Sequence, residues 1–190
     1  MMRDFKVNFT EKEISSVYKK IKDYPWNTMP DLDGWEHGTN KKYLKELCDY
    51  WVSEFDWHKH EKLINNFENF ITNVDGIDIH FIKKKGSSPN STPLLLMHGW
   101  PGSIIEFLDI IEKLANPEMS GSNAKNSFDV IVPSLPGFGF SGKPTKPIGP
   151  RKMAEILNKL MIENLGYKNY VAQGGDWGAT IANWLGYDHS

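Results

Sequence analysis

With a single cysteine, Cys48, in 190 residues, the chain can form no internal disulfide. There is also no four-ligand Cys/His cluster, so structural zinc is not expected, and a reducing compartment is. Long apolar runs are equally scarce. The best short one, Pro93-Leu94-Leu95-Leu96-Met97, falls far below the roughly 20 residues that a membrane-spanning helix needs. The opening MMRDFKVNFTEKE carries charges where a signal peptide has an apolar stretch. Nor is there an excess of one charge: 22 basic against 24 acidic residues are spread evenly, for a formal net charge of −2. That balance leaves no electrostatic footprint for nucleic acid or an anionic membrane. Together these absences predict a soluble, cytoplasmic chain with no membrane anchor and no nucleic-acid partner. A content of 39% hydrophobic and 13% aromatic residues suffices for a folded core.

Two helix-start devices coincide at Phe9-Thr10-Glu11-Lys12-Glu13-Ile14. Thr10 and Glu13 make a capping box, and Phe9 and Ile14 are spaced as its hydrophobic staple. Ile14, Val17, Tyr18 and Ile21 then share one helical face until Pro25, which predicts a helix over 11–23. An irregular meander, PWNTMPDLDGWEHGTN, leads to a second helical stripe in KKYLKELCDYWVSEFDW. Cys48 within it reads as a packed or surface thiol, since no partner for a reactive one can be named. In FITNVDGIDIHFI the Asp75-Gly76 pair between β-rich runs predicts an antiparallel hairpin. After a polar loop over 83–93, strands and helices alternate: LLLMHG, SIIEFLDIIEKL, FDVIVPSL, RKMAEILNKLMIENLG, YVAQGG and DWGATIANWLGY. That order predicts a parallel sheet covered by helices. The expected division is residues 1–92 as an N-terminal region of meander and hairpin, and 93–190 as the α/β part.

Three stretches could carry chemistry. In PGFGFSGKPTKP, Gly137, Gly139 and Gly142 spell a dinucleotide motif, and Gly137 to Lys143 most of a phosphate-binding loop. Both motifs need a helix to start at once, and the second needs Ser or Thr where Pro144 stands. Pro147 and Pro150 delay the helix further, so this reads as a glycine-permitted loop and no nucleotide cofactor is expected. HGWPGS, 98–103, follows a strand. His98 reads as a packing and hydrogen-bonding residue rather than a catalytic one, while Gly99 and Pro101 leave the Trp100 amide pointing into a pocket. QGGDWGAT, 173–180, has the strand-turn-helix context of a nucleophile elbow, with Gly174 and Gly178 as the small residues flanking Asp176. The amides of Trp100 and Trp177 would be its oxyanion donors. An ordinary glycine-rich turn with Asp176 as a helix cap is the weaker reading, because HGWP precedes it in the right order.

An aspartate at an elbow changes the chemistry. Serine needs a base to become nucleophilic, whereas a carboxylate is already an anion at neutral pH. Attack on an ester would give a reactive anhydride, but displacement at a saturated carbon of an epoxide or alkyl halide gives a stable ester. Water must then cleave that ester at the aspartate's own carbonyl carbon. In haloalkane dehalogenases the third position of H-G-x-P is typically Asn, and here it is Trp100, which favours the epoxide.

With these motifs on view, the sequence resembles the epoxide hydrolases of the microsomal type. The resemblance rests on WEHGTNKKYLKELCDYWVSEFDW, VDGIDIHFI, LLLMHGWPGS, VPSLPGFGFSGKP and VAQGGDWGA, in that order. Asn40 departs from the Asp common among relatives. The resemblance implies an incomplete α/β-hydrolase fold: the N-terminal helical meander plus the first half of a mostly parallel sheet. It also implies Asp176 as nucleophile, Trp100 and Trp177 as oxyanion donors, no cofactor or metal, and a small apolar epoxide as substrate in xenobiotic detoxification. In the family an acidic residue and a water-activating histidine follow the nucleophile. Here only Asp188 and His189 do, and a helix would put His189 on the order of 20 Å from Asp176. Two expectations therefore stand side by side: the N-terminal portion of an epoxide hydrolase, or a short non-catalytic binding product of the same family. A dehalogenase-like hydrolase with the same nucleophile is the further alternative.

Overall fold

Thr10 opens the first helix in the computed structural model, which describes residues 1–30 and 34–190. Its hydroxyl oxygen accepts the Glu13 amide at 3.3 Å while the Glu13 carboxylate accepts the Thr10 amide at 3.0 Å. This reciprocal box starts α1, Glu11–Lys22. The meander that follows contains a 3-10 turn at Trp26–Thr28, and its residues 31–33 lie outside the described residues. Asn40 then caps α2, Lys41–Ser53, by accepting the Tyr43 amide at 3.1 Å. Asparagine and aspartate cap equally well, so the departure at this position is physically neutral.

The helical stripe read in 41–57 ends at Ser53, and the helix that follows it was not foreseen. After a break, Asp56 accepts the Lys59 amide at 2.9 Å and a separate helix, α3, runs Trp57–Asn65. Residues 7–63 form one compact unit, and residues 1–6 with 64–190 form another. Inside the first, the rings of Phe9, Trp51 and Phe55 gather around Trp57.

The second unit is built on a six-stranded sheet of β1 (Arg3–Phe5), β2 (Glu68–Val74), β3 (Ile77–Lys84), β4 (Thr92–Met97), β5 (Phe128–Pro133) and β6 (Val171–Gly174), in the order β1-β2-β3-β5-β4-β6. β4 lies parallel to both β5 and β6, while the pairs β1-β2, β2-β3 and β3-β5 are antiparallel. The hairpin turns as expected: Asp75 and Gly76 take φ of 51° and 82°, the two positive angles of a type I′ turn. β1 was not foreseen. Three residues with two charges carry no strand signal, and their conformation exists only because Arg3, Asp4 and Phe5 pair with Ile71, Phe70 and Asn69.

α4 (Leu108–Ala115) continues from a 3-10 turn at Ile104–Phe107, α5 (Pro150–Lys159) runs on into a π turn at Leu160–Asn164, and α6 is Trp177–Asp188. One face of the sheet, with Ile79, Phe81, Leu95, Met97 and Ile131, meets Ile156 and Leu157 of α5, Leu160 of the π turn, and Ile181 and Leu185 of α6 in a closed core. Each of these large side chains contributes about 1.5–3 kcal/mol on burial. Leu94, Leu96, Val130 and Val132 point to the other face by strand alternation and are equally buried.

A polar chain runs through this core. The Asn69 amide nitrogen donates to the carbonyls of Ile64 and Phe67, so its oxygen must accept, and it does so from His80 Nε2 at 3.0 Å. That leaves Nδ1 of a neutral ring to accept from the Ser134 hydroxyl at 2.9 Å. Ser141 bonds the same stretch, its hydroxyl donating to the Ser134 carbonyl and accepting the His80 amide. Phe5 and Phe140 close over the ring edge to face. Burial pushes the His80 pKa down to about 4. Because the folded value lies below the unfolded one of about 6.5, the contribution is complete above pH 6.5 and is lost as pH falls toward 4. Unfolding free energy from urea titration should drop by about 3 kcal/mol between pH 7 and pH 4 on this account, and the His80 ring should titrate near pH 4 by NMR; a midpoint near 6.5 would contradict it.

Candidate active site

Between the last residue of β6, Gly174, and the first of α6, Trp177, the chain turns through Gly175 and Asp176. Asp176 holds φ 51° and ψ −120°, a backbone that a side-chain-bearing residue adopts at a cost of about 1–3 kcal/mol. It stands at the cap position of α6, yet its side chain makes no capping bond there. The carboxylate reaches across to the segment after β4 instead, where Oδ1 accepts the Trp100 amide at 2.7 Å. The peptide between Trp100 and Pro101 is cis.

Two close approaches explain the glycines. Gly178, in the first turn of α6, lies so near the end of β4 that a Cβ would sit 2.3 Å from the Met97 carbonyl oxygen and 2.4–2.7 Å separates the Gly174 Cβ position from Gly178 backbone. Gly99 faces the aspartate itself, and a methyl there would meet Asp176 Cβ at 2.5 Å and Oδ1 at 2.6 Å. Glycine at 99 is thus needed less for turning than for admitting the carboxylate. A Cβ added at Gly175 would meet nothing within 4 Å.

The amide of Trp100, and after it the amide of Trp177, holds the Asp176 carboxyl below its ordinary value of 3.8. Two N–H donors favour the charged form. The group is therefore an exposed anion at neutral pH, set in a strained turn with donors on it. The structure brings Asp176, Trp100 and Trp177 together. The Trp100 ring itself is 66% exposed, so it is the backbone of that residue that reaches the aspartate.

Other candidates lie elsewhere. Asp188 is taken by Arg151 in a two-pronged ion pair at 2.7 and 2.8 Å, and His189 Nδ1 meets Asn158 at 3.3 Å, both at the far end of α6. Within the separate unit 7–63, His58 bonds Glu11 at 3.0 Å and His60 stacks on Phe55. Among the described residues no group of three His, Cys, Asp or Glu side chains could hold a metal ion. No helix among them is long and apolar enough to cross a membrane. The glycine motif at 137–142 folds back on the hairpin, the Gly142 amide donating to the Asp78 carbonyl at 2.6 Å, and no α-helix follows until Pro150. One signal went unread in the sequence: Ser103 and Glu106 form a second capping box that ends the HGWPG turn.

Residues 2–107 match the family model described as "Epoxide hydrolase N terminus", and residues 92–190 match that of the alpha/beta hydrolase fold. The chain belongs to the epoxide hydrolase family. Juvenile hormone epoxide hydrolase 1 of Ctenocephalides felis is 40% identical over 186 residues, covering 95% of this chain and 39% of that protein. Among solved structures, the juvenile hormone epoxide hydrolase of the silkworm Bombyx mori superposes with a TM-score of 0.82 at 31% identity, over 97% of this chain and 44% of that one. The epoxide hydrolase of Aspergillus niger gives 0.85 at 27% identity, over the whole of this chain and 50% of that one. The fold of this epoxide hydrolase family member is accordingly the α/β-hydrolase fold, in an incomplete form. The chain spans about two fifths of the length of the curated relatives it matches.

The close approaches make a paired test. Gly178→Ala should lower the unfolding free energy by about 1–3 kcal/mol through overpacking, despite the roughly 1 kcal/mol that alanine otherwise gains within a helix. Gly175→Ala should stay within about 0.5 kcal/mol of the parent. Equal stability of the two variants in urea would contradict the packing described.

Proposed function

We propose that this chain supplies the nucleophile and the oxyanion donors of an epoxide hydrolase that opens small apolar epoxides to vicinal diols. The observation that carries this reading is the 2.7 Å bond from the Trp100 amide to Asp176 Oδ1. A donor aimed at the oxygen of an aspartate that does not cap its own helix fits a residue whose carbonyl carbon is itself attacked. Family membership supports the substrate class.

In the first step Oδ2 attacks an epoxide carbon, the carbon–oxygen bond of the ring breaks, and the alkoxide takes a proton from an acid. Asp176 is then an alkyl ester with Oδ1 as its carbonyl oxygen, still facing Trp100 and Trp177. In the second step a base removes a proton from water, and the resulting hydroxide adds to Cγ. The negative charge moves onto Oδ1, where the two amides stabilise it. Donors of this kind are worth about 3–4 kcal/mol each in transition-state stabilisation. Collapse expels the diol and restores the carboxylate.

The acid and base of these steps are assigned to the part of the family's length that this chain does not span. The neighbouring His98 has both ring nitrogens engaged, and His189 is at the wrong end of α6. Trp100 at the third position of H-G-x-P presents an indole where a side-chain amide would serve a departing halide, which supports the epoxide over the alkyl halide.

In a whole enzyme that contains this chain, a single turnover in water labelled with oxygen-18 should leave the diol unlabelled and place one label in the Asp176 peptide, read by mass spectrometry. Asp176→Ala should lower kcat by at least about 10³-fold. Label appearing in the diol at first turnover, or an active alanine variant, would exclude the ester route.

A further inference from the structure

We propose that His98 is a positioning residue whose ring sets the direction of the Trp100 N–H and so aims it at the Asp176 carboxylate. The proposal rests on the assignment of Asp176 and Trp100 made above. The Gly99 carbonyl and the Trp100 amide belong to one planar peptide unit, so fixing one fixes the other in the opposite direction. His98 Nδ1 lies 2.9 Å from the Gly99 carbonyl oxygen, and Nε2 accepts the Leu135 amide at 3.1 Å. An amide can only donate. Nε2 must therefore be unprotonated, Nδ1 must carry the hydrogen, and the ring must be the neutral tautomer that donates to Gly99.

The ring is 1% exposed and meets Phe138 edge to face at 5.6 Å, so it has no room to turn. Its anchor is equally fixed. Leu135 follows Ser134, whose hydroxyl and amide are both held by His80, the latter through the His80 carbonyl at 2.9 Å. β3 and β4 are the two neighbours of β5. One histidine on β3 and another just past β4 thus clamp consecutive residues at the end of the strand between them. The line of bonds runs from Asn69 through His80, Ser134, Leu135 and His98 to the Gly99–Trp100 peptide and Asp176.

Two side chains separate the functions of the two ring nitrogens. Asparagine places an amide nitrogen near the Nδ1 position, and glutamine reaches only the Nε2 position. In the intact protein, NMR titration of the Asp176 carboxyl and hydrogen exchange at the Trp100 amide report the bond without turnover. His98→Phe should move the Asp176 midpoint up toward 3.8 and speed Trp100 exchange by about tenfold. His98→Asn should keep both close to the parent, and His98→Gln should follow the phenylalanine variant. Unchanged titration and exchange in folded His98→Phe overturns the proposal, as does a glutamine variant that matches the parent while asparagine does not. If His98→Phe fails to fold, the Asn and Gln pair decides. Since neither readout needs an epoxide, failure here leaves the ester mechanism untouched, and failure of the ester mechanism leaves the His98 result standing.

Discussion

The site depends on how closely α6 lies against the end of β4. Gly178 brings the helix backbone onto the Met97 carbonyl at a distance that admits no side chain, and that contact sets where the turn before the helix must pass. The turn is short, so Asp176 is forced to a positive φ, and from that position its carboxylate points over the end of β4 rather than along its own helix. Gly99 then has to be small because the carboxylate occupies the space its side chain would take. Close packing, strain and the 2.7 Å bond are three views of one constraint. Strain of about 1–3 kcal/mol at a single residue is small beside the apolar surface buried by α5 and α6, and the core over-determines the turn.

Much of this was legible in the chain because it rests on local chemistry. Thr10 and Glu13 announce α1, Asp75-Gly76 announces the hairpin turn, and Gly174 and Gly178 flanking Asp176 announce the elbow. What could not be read comes from pairing at long range. Arg3–Phe5 becomes a strand only by lying along β2, and a three-residue charged segment has no pattern of its own. α3 lies in between: Asp56 is a cap in plain sight, but the short segment Trp57–Asn65 between it and the hairpin was not read as a helix. The reason for Gly99 was likewise hidden, since its neighbour in space is 77 positions away in the chain (176 − 99).

His80 and His98 bear out the reading of a buried histidine as a hydrogen-bonding residue of the core. Of the six histidines in the sequence, these two are buried neutral rings whose nitrogens are fully committed to backbone or side-chain partners. Burial lowers the pKa of each, which keeps them uncharged at neutral pH and preserves the one tautomer their partners allow. The glycine motif at 137–142 is the complementary case. Its residues spell a phosphate loop, but Ser141 and Gly142 spend their hydrogen bonds on Ser134, His80 and Asp78, so the loop is a brace for the sheet.

The strand order β3-β5-β4 also shapes the route by which the chain folds. β3 is antiparallel to β5 and β5 is parallel to β4, so β3 and β4 run in opposite directions with only residues 85–91 between them. A direct hairpin between these two strands is the contact nearest in sequence, and local contacts form first. The native sheet instead inserts β5, which is made more than thirty residues later than β4 begins (128 − 92). Reaching the central sheet therefore means keeping a gap open for a strand that arrives late. The bonds that the 85–92 segment makes to the β5 side, Gly86 to Asp129 and Thr92 to Ser127, are the ones that reward waiting for it.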